Sequence, residues 1–159
     1  MILYVLIMSQ FRFSSTIRIE YHDALERLFF FSPQQNRYYD RIIEIVEKFG
    51  KPIIINNGKT LSMKVEGNID SNCIFASHGP KLVGVLIYAK NTSKNIQLLH
   101  ISIDEDYTSK GNFANMILAS KMVDKLKEIA RNIKGIETIT IGYCNSVLFV
   151  SDIPRKKAI

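Results

Sequence analysis

Two cysteines, Cys73 and Cys144, are all that the 159 residues contain, and they stand far apart beside apolar runs. That scarcity excludes a disulfide-stapled scaffold. With no CxxC pair or Cys/His cluster, it also excludes a sulfur-ligated metal centre. Two buried, reduced thiols in a cytoplasmic protein are expected. Nowhere does the chain carry the roughly 20 consecutive apolar residues needed to cross a bilayer. Its apolar start, Met1 to Met8, lacks a basic flank and a small-residue cleavage site. It reads as a strand or as a leader that contributes little, and no export signal or membrane anchor is expected. Repeats and low-complexity linkers are missing as well. One domain over residues 1–159 is therefore expected, because domains most often run to roughly 100–150 residues. No Ser/His/Asp arrangement and no pair of carboxylates stands out.

What is present is a chain able to build a core: 47% of its residues are apolar and 23% charged, the opposite of a disordered composition. The net charge of +6 and the pI near 9.3 leave two readings open. One is an anionic partner, such as a phosphorylated cofactor, a nucleic acid or an acidic surface; the other is a charge that serves only solubility. Exposed strands with interleaved aromatic and basic residues are lacking, so a nucleic acid is not the expected partner.

Along the chain, Phe11 to Tyr21 is β-rich and reads as a first strand. His22 to Phe31 reads as a short helix with Ala24, Leu25, Leu28 and Phe29 on its apolar side. A second helix is expected from Gln34 to Phe49, since Tyr38, Ile42, Ile45, Val46 and Phe49 recur at helical spacing. Gly50 and Pro52 then end it. Ile53–Ile55 and Leu61–Val65 flank Asn56-Asn57-Gly58-Lys59, a hairpin turn by composition. Strands follow at Cys73–Ser77, Leu82–Ala89 and Ile96–Ile103. The last two are apolar enough to be covered on both faces. The longest helix is expected from Gly111 to Ile133, with Met116, Ala119, Val123, Leu126, Ala130 and Ile133 as its stripe. Glu137–Tyr143 and Val147–Val150 read as closing strands, before a basic tail at Pro154–Lys157.

The block from Leu82 to Tyr143 thus reads strand, turn, strand, helix, strand, and a helical crossover makes its last two strands parallel neighbours. The stretch Leu98-Leu99-His100-Ile101-Ser102-Ile103-Asp104-Glu105-Asp106-Tyr107-Thr108-Ser109-Lys110-Gly111-Asn112-Phe113-Ala114 resembles the GNAT superfamily of acyl-CoA-dependent N-acyltransferases. In that family an apolar strand leads through an aromatic into R/Q-x-x-G-x-G/A. Ile103 matches the strand end, Tyr107 the aromatic, Lys110 the basic position and Gly111 the first glycine. Thr108 departs from the expected Arg or Gln, and Phe113 from the expected Gly or Ala. The match covers 82–143, and the remainder follows by element order alone.

The resemblance implies a GNAT-like α/β fold, with a mixed, mostly antiparallel central sheet, two parallel splayed strands and flanking helices. It implies acetyl-CoA or another acyl-CoA as cofactor, and a small-molecule or protein amine as acceptor. A homodimer is compatible with it. Cofactor contacts are expected from Ile101, Ile103, Lys110, Gly111, Asn112, Phe113, Ala114 and Asn145. Here a glycine-bearing turn opening a helix would offer N–H groups and the positive helix end to a pyrophosphate. The backbone of Ile101 to Ile103 would meet the acyl carbonyl, and Tyr143 would protonate the leaving thiolate. Glu105 and His100 are the candidate bases. Their structural alternatives are a solvated loop carboxylate and a core histidine. A non-catalytic binding or assembly module on the same fold is the competing reading, because Thr108 and Phe113 both alter the cofactor turn.

Overall fold

The computed structural model describes residues 10–30, 39–67, 69–141 and 146–150, and within the last stretch the side chains of 148 and 150 only. Its frame comes from the two most apolar strands, β6 (Lys81–Lys90) and β7 (Asn95–Ile103). Both are covered on two faces, so they occupy the middle of a six-stranded sheet. Before them in the chain come β1 (Phe11–Ser14) and β5 (Ser71–His78); after them come β8 (Thr138–Ile141) and β9 (Ser146–Phe149). The spatial order is β1-β5-β6-β7-β8-β9. Every pairing is antiparallel except β7 with β8, which are parallel and joined through helix α3 (Leu118–Arg131). This is the mixed, mostly antiparallel architecture with one parallel pair that the resemblance implies.

A second, three-stranded sheet was not anticipated. It contains β2 (Ile17–Arg18), β3 (Pro52–Asn56) and β4 (Thr60–Val65), in the order β2-β4-β3. The expected strand Phe11–Tyr21 is therefore two strands in two sheets, followed by a 3-10 turn at Ile19–Tyr21. Between them Ser14 Oγ donates to Thr16 O, tightening the step from one sheet to the other. Where β1 leaves β5, β4 takes up contact with it: Met63 N–H donates to Cys73 Sγ and Val65 N–H to Ser71 Oγ. The β3–β4 hairpin forms on the expected residues, with Gly58 at φ +88 and the Asn57 side chain accepting from the Lys59 and Thr60 amides.

Two apolar cores lie on opposite faces of the large sheet. One joins helices α1 (His22–Phe29) and α2 (Tyr39–Phe49) and the small sheet to Phe75, Val85 and Leu99. The other joins α3 to Ile74, Leu86, Ile96 and Leu98. α2 is described only from Tyr39, so the expected start at Gln34, the break at Ser32-Pro33 and Tyr38 lie outside the described residues. The same holds for Met1–Met8, for Cys144 and for the basic tail.

Helix α3 departs most from expectation. It begins at Leu118, seven residues after Gly111, and its buried stripe is Leu118, Met122, Leu126 and Ala130, with Ala119 exposed. Gly84 of β6 lies under this stripe: a Cβ there would stand 2.7 Å from Met122 Sδ.

A β-bulge in β7 changes which residues share a face. Ile87 is opposite His100 and Tyr88 opposite Leu98, which makes Leu99 the extra residue. One inserted residue inverts the alternation beyond it. Leu98 faces α3, whereas Leu99, His100 and Ser102 face α1; Ile101 and Ile103 return to the α3 side. His100 therefore shares its face with Ser102 but not with Leu98, although the three alternate along the sequence.

Candidate functional site

The carboxyl end of β7 runs into a 3-10 turn at Glu105–Tyr107, whose shape is set by its own backbone. Asp104 caps it, Oδ1 accepting from Asp106 N–H at 3.0 Å, and Thr108 closes it with its hydroxyl on Glu105 O at 2.7 Å. Opposite stands α1, held to β7 by the buried Ser102 hydroxyl, which donates to Leu28 O at 2.6 Å. Between the turn and the helix opens a cavity of about 620 Å³, inside the range of roughly 300–1,000 Å³ typical of small-molecule sites. Ala24, Leu28, Leu82 and Ile103 give it apolar walls; Arg27, Lys81, Asp104, Glu105 and Asp106 give it charge. Tyr21 completes the rim and is fixed there, its hydroxyl donating to Pro80 O at 2.6 Å.

The electrostatics of this cavity run against those of the chain. Three consecutive carboxylates meet two cations in a protein of net charge +6. Lys81 is engaged, 3.3 Å from Asp104 and 4.0 Å from Asp106. The Arg27 guanidinium and the Glu105 carboxylate form no ion pair among the described residues.

Of the candidate site residues, Ile103 and Glu105 line the cavity, and Glu105 is exposed there. His100 is elsewhere. It is 1% exposed, edge-on to Phe29 with ring centroids 5.8 Å apart, and burial pushes its pKa down to about 4. It is a core histidine and does not reach the cavity. Ile101 lies on the α3 face of β7. Tyr143 and Asn145 lie outside the described residues.

The turn from Thr108 to Ile117 differs from a helix-opening phosphate loop. The Gly111 amide donates to Thr108 O, Phe113 to Asp106 O at 2.7 Å and Ala114 to Gly111 O. These three N–H groups are used inside the turn, while Lys110 and Asn112 are exposed on it. Gly111 is needed for a reason other than a ligand: a Cβ there would lie 2.3 Å from the backbone of Asp106 and Glu105. The Phe113 ring, 42% exposed, neither fills the core nor stands free. It stacks on Tyr107 at 5.0 Å and meets His78 edge-on. Tyr107 is itself buried, hydrogen-bonded through its hydroxyl to His78 Nδ1 and packed on Phe11. Its phenol pKa is raised, first by burial and then by the charges of Asp104 and Asp106. This His78–Tyr107 pair anchors the turn to the end of β5. Nothing in the local sequence announces it, because its members are 29 residues apart.

At the end of the turn Ile117 adopts φ +48, ψ +49 as the residue before α3, with no side-chain cap on the helix. A β-branched side chain in the left-handed region is strained by roughly 1–2 kcal/mol. Ile117 is 57% exposed, so burial does not compensate. Replacing Ile117 with glycine is expected to raise stability by about 1 kcal/mol once glycine's larger entropy loss is counted. Denaturant unfolding would show this as a higher midpoint at unchanged slope; a lower midpoint would mean that the side chain holds the turn.

Among the described residues no group of three or more His, Cys, Asp or Glu side chains could hold a metal, and no helix is long and apolar enough to cross a membrane. Cys73 is buried, and desolvation pushes its thiol up to about 11. No family model matches the chain, and no curated protein matches it. Among solved structures it is similar to the crystal structure of an acetyltransferase from Streptococcus agalactiae 2603, at 16% identity and a TM-score of 0.47, over 82% of this chain and 71% of that one.

Proposed function

We propose that the protein is an acyl-CoA-dependent N-acyltransferase that acts on an amine entering the cavity beyond β7. The observation that carries this reading is the acid-lined cavity of a basic chain, placed at the carboxyl end of a strand in a parallel pair. Such strand ends are where open α/β sheets bind their ligands. Among the described residues β8 pairs with only Asn95–Leu98 of the nine-residue β7, and Leu99–Ile103 continue past that pairing toward the cavity.

The chain's own residues would divide the work as follows. Asp104, Glu105 and Asp106 attract the ammonium form of the acceptor, and Glu105 takes a proton from it to free the nitrogen lone pair. The backbone of Ile101 to Ile103 adjoins the acyl carbonyl. Tyr143 and Asn145 keep the roles the resemblance implies, proton donor to the leaving group and cofactor contact. Acyl-CoA, when bound, supplies the thioester carbonyl that the amine attacks and the thiolate that leaves. Its diphosphate would be held by Lys110 and Asn112 and by the first-turn amides of α3, which no side chain caps. The amides of Gly111, Phe113 and Ala114 do not fit that task as they stand, since they are bonded within the turn.

That last observation favours a second reading, a binding module on the same fold that does not use acyl-CoA. Thermal unfolding separates the two. Acetyl-CoA at millimolar concentration is expected to raise the melting temperature, and Lys110→Glu is expected to weaken the effect. An unchanged melting temperature would sink the acyltransferase reading and leave the module.

A further inference from the structure

The charges of the cavity say more than that an amine enters. Lys81 is committed to Asp104 and Asp106. Among the described residues Arg27 on α1 and Glu105 on the turn form no ion pair, and both line the cavity together with the apolar Ala24, Leu28, Leu82 and Ile103. A simple alkylamine would satisfy the carboxylates and leave the guanidinium facing the ligand's carbon chain. A polyanion would meet three carboxylates. A molecule carrying an ammonium and a carboxylate on one carbon meets both charges and leaves an apolar side chain for the walls.

We infer that the cavity takes a free amino acid with an apolar side chain, its ammonium group on the Glu105 carboxylate and its carboxylate on Arg27. This deepens the acyltransferase reading and rests on it for the identity of the reaction, but not for the binding. Arginine suits the carboxylate end, because its planar fork matches a carboxylate in two hydrogen bonds. Tyr21, held by Pro80 O, keeps the mouth of the cavity in place.

Calorimetric titration of the full chain with L-leucine, L-valine and L-methionine, each beside its amide, tests the inference. At least one free amino acid is expected to bind, and its amide about tenfold more weakly, as loss of a charge-assisted contact predicts. Arg27→Gln is expected to bring the amino acid down to the level of its amide and to leave the amide unchanged. Arg27 is exposed, so the variant is expected to fold, and its unfolding midpoint checks that. Amide binding as tight as the amino acid, or no binding by any of the three, would overturn the inference. The acetyl-CoA measurement keeps the two ideas apart. A cofactor shift with no preference for the free carboxylate rejects this inference and leaves the acyltransferase. Amino-acid binding without a cofactor shift keeps this inference and rejects the enzyme.

Discussion

Gly111→Ala is expected to cost on the order of 3 kcal/mol, the upper end of what overpacking costs. Its Cβ would lie 2.3 Å from Asp106 C, Asp106 O and Glu105 O, all backbone atoms that no rotamer change can move aside. To make room, the turn must release at least the bond from Phe113 N–H to Asp106 O, and with it the link between the cavity wall and the segment leading to α3. Urea unfolding would read the loss as a lower midpoint. Amide exchange at Phe113 is expected to be faster in the variant than in the wild type even where the global loss is smaller, because exposed turns can open locally. A loss below about 0.5 kcal/mol, the scatter of ordinary surface substitutions, would show that the glycine is not held there by packing.

Acidification should be comparably costly through a different residue. His100 has a folded pKa of about 4, lowered by burial, against about 6.5 when unfolded. The unfolded chain therefore binds the extra proton first. Stability from this group is complete above pH 6.5 and falls as the pH drops toward 4. The full loss is about 3 kcal/mol, and about 2 kcal/mol of it should appear between pH 7 and pH 5. Urea unfolding of the wild type and of His100→Gln across that interval isolates the effect, since the other titrating groups are common to both. The wild type should lose about 2 kcal/mol more than the variant. Parallel pH dependence in the two proteins would mean that His100 is not held neutral in the core.

Several elements were legible because one short stretch of chain decides them. The apolar runs of β6 and β7 required burial on two faces, and Asn56-Asn57-Gly58-Lys59 could close little except a hairpin. The parallel pair followed from the helix between β7 and β8. Features decided by distant partners were not legible. Phe11–Tyr21 is β-rich throughout, and nothing within it records that β1 pairs with β5 and β2 with β4. Gly111 to Ile117 is compatible with helix, but its amides bond to Asp106 O, to Thr108 O and to carbonyls within the segment. The helix therefore starts at Leu118, and Leu118 and Met122 replace Ala119 and Val123 in its buried stripe, while Leu126 and Ala130 keep their places.

Of the candidate residues, Ile103 and Glu105 line the cavity, one as the last residue of β7 and the other as the first of the 3-10 turn beyond it. Tyr21, Arg27 and Lys81, which also line it, went unnoticed because they come from elements far earlier in the chain. The signal that could have pointed to the turn was its charge: Asp104-Glu105-Asp106 is three carboxylates in a row in a chain of net charge +6.

The bulge at Leu99 also bears on how this chain can change by insertion and deletion. It works as a parity bit: a single residue, itself packed in the α1-side core, sets which face every later position of β7 presents. Removing it would exchange the two sets downstream in one step. His100 and Ser102 would turn toward α3, taking the latch on Leu28 O with them, and Ile101 and Ile103 would turn toward α1. A point substitution in β7 alters one position on one face, whereas a length change anywhere from Leu98 to Ile103 rewrites both cores at once.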